Sequence, residues 1–262
     1  MTGLDRAGFY RWRVPRQATP VEMEIRDQMQ RVAVELPAYG YRRITAELQQ
    51  RGFAVNHKRV LRMMREDNLL CVRSRSFVVT TDSRHGLPVY PNLAREIQPT
   101  AINQLWVADI TYIRLRAEFV YLAVVLDAYS RRVIGWALGR TLEAHLAVEA
   151  LRMALLERNP PPGLVHHSDR GVQYASLDYT AMLKQHQAII SMSRKGNPYD
   201  NAACESFMKT LKYEEVYRNE YRDFQEAQAR LGEFLDRVYN QKRLHSALGY
   251  LPPAEFENGT KQ

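Results

Sequence analysis

Cysteine is scarce in this chain: Cys71 and Cys204 are the only two among 262 residues. Two isolated thiols exclude a disulfide framework and suit a reducing cytoplasm. No Cys-x-x-Cys occurs, which removes the usual Cys/His zinc module. Long apolar runs are missing as well, since none approaches the ~20 residues of a membrane span. The opening stretch MTGLDRAGFYRWRVPRQ has no apolar core of the kind a secretory signal carries. There is no acidic surplus either: the net charge is +8. Residues 1–100 hold 17 Lys/Arg against 10 Asp/Glu, whereas residues 101–262 hold 20 against 19. A basic first part points to a polyanion such as nucleic acid, or more simply to a solvated basic surface.

What is present is globular, with 45% hydrophobic and 25% charged residues, enough for one large domain and a small one. Residues 1–20 are basic and punctuated by proline, and read as an arm or linker to something upstream. Residues 21–70 carry three helical patterns. Ile25, Met29 and Val32 recur at helical spacing, and Ile44 and Leu48 follow at i,i+4. Asn56 is placed to cap a third helix with Val60, Leu61 and Met64 inward. His57, Lys58, Arg59, Arg62 and Arg65 decorate that helix, and a Gly52 turn precedes it. This describes a DNA-binding helix-turn-helix, or else a plain three-helix bundle with a basic face. Residues 71–100 read as a linker, with a short strand or two around 77–80.

From residue 101 the character changes. Strands are expected at 105–115, 119–126 and 132–138, joined by short turns and therefore antiparallel. A helix over 142–158 follows, with Leu146, Ala150, Met153 and Leu156 inward. Then come a strand at 164–167, a helix at 177–186, a strand at 188–192, a polar loop at 193–199, and helices at 201–216 and 224–239. The order implies an α/β core: a mixed sheet with helices on its faces, over 101–220, and a C-terminal helical extension over 221–262.

Three acids stand in distinctive settings: Asp109 in WVADITYI, Asp169 in HHSDRGVQY, and Glu205 in NPYDNAACESFMKTLKYE. Carboxylates converging from distant parts of a chain are what a two-metal phosphoryl-transfer site needs, because magnesium prefers oxygen ligands. Asp109 lies mid-strand, where a carboxylate is costly unless paired or bound to metal. Glu205, Lys209 and Lys212 fall on one helical face, so the lysines are placed to reach phosphates, although an exposed Glu–Lys pair explains them as well. Asp127 suits a turn cap, and Asp200 or Asn201 a helix cap. His166 or His167 is placed to position a water or phosphate, or is structural. Cys204 suits packing. The basic loop with Arg194, Lys195 and Gly196 suits a DNA backbone or is merely solvated.

These words, in this order, resemble orfB-type transposases of the bacterial insertion-sequence family "IS-three", within the DDE transposase and retroviral integrase superfamily. WVADITYI, LDAYSRRVIGW, HHSDRGVQY, MSRKGNPYDNAACESFMKTLK and YNQKRLHSALGYLPPAEF all take part, as do GYRRITAELQQRG and VNHKRVLRMMRE. The resemblance implies an RNase H-like catalytic fold and makes Asp109, Asp169 and Glu205 the ligands of two Mg2+ ions, for which Mn2+ would substitute. Lys212 matches a basic residue that contacts transposon-end DNA. The implied reaction is cleavage at an insertion-sequence end, then attack of the freed 3′-OH on another phosphodiester, with no covalent enzyme intermediate. Implied partners are double-stranded DNA, an upstream orfA-type product joined as a fusion, and further copies of the chain. The rivals are a catalytically silent DNA-binding protein and an RNase H-like nuclease that cuts without joining.

Overall fold

The computed structural model describes residues 19–69, 88–194 and 201–259. Residues 1–18 of the expected arm, the expected strand near 77–80, Lys195, Gly196 and Asp200 lie outside them, while Thr19 and Pro20 of that arm open the first helix. The chain divides into two compact units, Met1–Val72 and Arg73–Gln262.

In the first unit, α1 (Pro20–Glu35) starts at Thr19, whose hydroxyl accepts from the Glu22 amide at 3.2 Å. A proline at the first helical position costs nothing there, since that amide has no helical partner. α2 (Tyr41–Gln50) ends in the left-handed Gly52, φ +89°. α3 (His57–Glu66) is capped by Asn56, whose side chain accepts from the Arg59 amide at 2.9 Å. Ile25, Met29, Val32, Ile44, Leu48, Val60, Met63 and Met64 form the core. Met63 takes the interior place expected of Leu61, which is half-buried. The inward stripe of α3 is Val60, Met63 and Met64, at i, i+3 and i+4, and Leu61 sits at its margin. Arg26 of α1 grips Glu66 and Asp67 at the end of α3.

The second unit is built on a five-stranded sheet in the order β3-β2-β1-β4-β5. β1 (Leu105–Arg114), β2 (Phe119–Asp127) and β3 (Val133–Gly139) form an antiparallel meander. β4 (Val165–Ser168) and β5 (Ile189–Met192) run parallel to β1. The sheet is thus mixed, as the element order implied. Asp127 fastens the β2–β3 turn by accepting from the amides of Asn103, Tyr129 and Ser130 at 2.7, 2.9 and 3.1 Å.

Helices cover both faces. α4 (Ala144–Arg158) and α5 (Leu177–Gln185) close a core on Trp106, Ala108, Ala123, Val125 and Ile134. α4 lies directly on β3: a Cβ added at Gly135 would stand 2.2 Å from the Ala150 carbonyl oxygen. That approach turns Ala147, Ala150, Leu151, Ala154 and Leu155 inward and leaves Leu156, expected inside, 79% exposed. The helix also starts at Ala144, not at Leu142. On the other face α6 (Ala202–Glu214) and α7 (Phe224–Glu233) pack on Val107, Ile113, Leu122, Val124 and Leu126. The expected single helix over 224–239 turns π-helical at Phe234–Lys242. There the buried Asn240 accepts from the Val133 amide at 3.0 Å and donates to its carbonyl at 2.9 Å. One amide side chain so replaces a missing strand neighbour on edge strand β3. Tyr221, Leu231, Phe234, Leu235 and Tyr239 belong to the sheet's own core, so the C-terminal segment is part of this unit. α8 (Pro253–Gly259) is tied down by Glu257, which pairs with Arg132 and Arg158. Among the described residues no helix is long and apolar enough to cross a membrane.

Candidate active site

The β1–β4 ladder ends at Val107 opposite His167. Two residues further along each strand direction stand Asp109 and Asp169. Parallel pairing with matched register thus brings two acids 60 positions apart to one place. Both are half-buried. Asp109 Oδ1 accepts from the Ile110 amide at 2.9 Å, and Asp169 Oδ1 from the Gly171 amide at 2.8 Å. A Cβ at Gly171 would crowd Asp169 Oδ1 at 2.9 Å, so glycine keeps that carboxylate accessible. Burial, then the charge of Asp169, raise the Asp109 pKa to about 7. Glu205 adds to the rise, and the Ile110 amide and Lys212 oppose it.

Glu205 is exposed in the first turn of α6. Its charge reaches Asp109, yet among the described residues no group of three or more His, Cys, Asp or Glu is spaced to hold a metal ion. The structure therefore gathers Asp109 and Asp169 closely and holds Glu205 nearby. Lys209 is exposed. Lys212 is half-buried, with Nζ 4.6 Å from the Tyr112 ring centroid; burial lowers its pKa and Asp109 pulls it up. Arg194 is exposed at the end of the described part of its loop.

Three residues that set this geometry were not identified as doing so from sequence. Asn201 precedes α6 but makes no capping bond. Instead its Nδ2 donates to the Ala108 carbonyl at 3.2 Å, fastening α6 to β1 beside Asp109. At the other end of α6, the buried Arg243 forks onto Glu214 at 2.7 and 2.8 Å. His167 is buried, and Ser191 Oγ already accepts from the amides of Leu93 and Ala94 at 2.9 and 3.3 Å. Its proton therefore goes to His167 Nδ1, 2.8 Å away, which leaves Nε2 protonated to donate to Ser193 Oγ at 3.0 Å. The Ser193 hydroxyl in turn donates to the Ser168 carbonyl at 3.3 Å. Both ring nitrogens are engaged, so His167 braces the strand end before Asp169. His166 bonds Tyr179 at 3.0 Å, and burial, then His167, push its pKa down to about 3.

In the first unit Lys58 is exposed and Arg59 half-buried, while Arg62 reaches Glu22 at 3.3 Å and Glu66 at 3.6 Å.

Comparison with known proteins agrees with this architecture. Residues 99–198 and 186–253 each match an integrase core domain model, and residues 20–77 match an HTH-like domain. The Shigella sonnei protein described as "Insertion element IS600 uncharacterized 31 kDa protein" is 40% identical, over 97% of this chain and 95% of its own. Transposase InsF for insertion sequence IS3A of Escherichia coli (strain K12) is 38% identical, over 97% of this chain and 91% of its own. The chain belongs to the IS3-family InsF transposases. A transposase of this kind cleaves DNA strands and transfers them in transposition. Its fold is shared with a chain of the simian T-cell lymphotropic virus intasome solved with PP2A regulatory subunit B56 gamma. That likeness has a TM-score of 0.51 at 14% identity, over 88% of this transposase and 74% of that chain.

Proposed function

We propose that Asp109, Asp169 and Glu205 are the catalytic carboxylates of a divalent-metal-dependent polynucleotidyl transferase acting at insertion-sequence ends. The observation that carries this is the meeting of Asp109 and Asp169 just beyond the end of the parallel β1–β4 ladder, with the Asp109 carboxyl pushed to about 7. Such crowding of acids is costly without a counter-charge. The donor set fits two magnesium or manganese ions: hard carboxylate oxygens on two strands, with a third on a helix docked to the first. Bound ions would neutralise the carboxylates and polarise the scissile phosphodiester. Asp109 and Asp169 present their oxygens from the rigid sheet, and Asn201 and Arg243 hold the helix that carries Glu205 and Lys212. Lys212 and Lys209 meet the phosphates, and Arg194 and Lys195 track the backbone. Residues 21–70 dock on duplex DNA through Lys58 and Arg59, with Arg62 contributing from within its ion pairs. Joining requires two ends in one assembly, so the active form holds at least two copies of the chain.

The experiment is cleavage and joining of end DNA by the full chain with magnesium or manganese. Asp109→Asn, Asp169→Asn and Glu205→Gln each remove a charge and almost no volume. Each is expected to reduce both steps to background while leaving DNA binding intact. Near wild-type cleavage by any of them would remove that residue from the site.

A further inference from the structure

Beyond the end of the β4 ladder, β1 runs on beside β2. On the face shared with α4, Tyr112 pairs with Tyr121 and Arg114 with Phe119. Tyr112 and Phe119 meet edge to face, with centroids 5.9 Å apart at 66°. A cation flanks each end of this pair: Lys212 Nζ lies 4.6 Å from the Tyr112 ring and the Arg114 guanidinium 5.9 Å from the Phe119 ring. Phe119 is 51% exposed. Tyr112 and Tyr121 also line a cleft together with Ile110, Leu142, Gln173 and Asp169. The aromatic surface is therefore continuous with Asp169. Arg114 is exposed and makes no ion pair among the described residues, and the nearby Glu118 is held by Arg140 at 3.3 Å.

A cross-strand aromatic pair alone would be ordinary sheet stabilisation. That role does not call for a half-exposed ring, two flanking cations and a cleft shared with Asp169. Aromatic faces interleaved with Lys and Arg are what single-stranded nucleic acid uses: bases stack on the rings while cations track the phosphates. Duplex DNA offers no free base faces to such a surface, so its ligand is unpaired. We propose that Tyr112, Phe119 and Tyr121, flanked by Lys212 and Arg114, form a stacking platform for unpaired nucleotides of the end-DNA strand next to the scissile phosphate. This rests on the catalytic reading of Asp109 and Asp169. It adds that the DNA is opened beside the cut and that the opened bases are held on the β1–β2 hairpin.

The test reads binding of the full chain without added divalent metal, so that cleavage plays no part. The probe is end DNA carrying two unpaired flanking nucleotides, one of them 2-aminopurine. Stacking should quench its fluorescence, and Phe119→Ala should abolish the quench and weaken binding of this probe about tenfold. Affinity for the fully paired duplex should stay unchanged, and Phe119→Trp should restore the quench. Abasic sites in place of the unpaired bases should weaken wild-type binding by the same factor and Phe119→Ala binding no further. The wild-type half of that arm changes only the DNA, so unchanged wild-type binding to the abasic probe overturns the platform even if Phe119→Ala unfolds the hairpin. An equal ratio of unpaired to abasic affinity in the two proteins overturns the platform. Equal quenching by a target-strand probe overturns the assignment to the end DNA. Neither result bears on the carboxylates, which stand or fall on the cleavage assay of their own variants.

Discussion

Asp109→Asn should stabilise the metal-free protein while inactivating it. Burial and the Asp169 charge raise the Asp109 pKa from 3.8 to about 7. Because the folded value lies above the unfolded one, the folded chain binds this proton more tightly than the unfolded chain does. The resulting stability is complete below the unfolded value and is lost as pH rises through about 7. Three units correspond to a ceiling of about 4 kcal/mol at high pH. The carboxylate is half-buried, so water screens part of the repulsion, and about 2–3 kcal/mol is the working figure. Asparagine keeps the oxygen that accepts from the Ile110 amide and discards the charge. Denaturation at pH 8 without divalent ions should therefore show the variant more stable by that amount, or about 4–10 °C in the melting of the larger unit. At pH 5, between the unfolded value of 3.8 and the folded value of about 7, the difference should shrink to about 1 kcal/mol. Magnesium should raise the wild-type midpoint and move the variant's little. A variant less stable than wild type at pH 8, or an equal difference at both pH values, would refute the electrostatic account of this site.

Further outcomes concern the scaffold and the first unit. Arg243→Met leaves the Glu214 carboxylate, 12% exposed, without its forked partner, and should cost about 3–5 kcal/mol in chemical denaturation. Arg243→Lys should recover part of that, since one of the two bonds can be remade. Lys58→Ala with Arg59→Ala should reduce the salt slope of DNA binding by about 0.9 per lost phosphate contact, with the fold intact. An unchanged slope would make that face ordinary surface. Arg62→Ala should in addition lower thermal stability, because Glu22, only 5% exposed, loses a partner.

The sequence by itself determined what depends on near neighbours and on local words. Helical spacing located the cores of α1 to α3, Asn56 announced its cap, and Val/Ile-rich runs broken by short turns announced the β1–β3 meander. The flanking words of Asp109, Asp169 and Glu205 pointed to one chemistry. Only the tertiary structure decided matters that depend on partners far apart in the chain. The register Val107↔His167 sets Asp109 beside Asp169. Asn201 reaches back 93 residues to Ala108, so a residue that looked like a cap serves as a clasp. Asn240 reaches back 107 residues to the edge of β3. Close packing of α4 on Gly135 rotates Leu156 outward, although its spacing matched the buried stripe. Periodicity reports which face of an element is apolar, but the rotation, register and charge environment of each element are set by what packs against it. The raised pKa of Asp109 belongs wholly to that second class, because no property of WVADITYI alone contains the charge of Asp169.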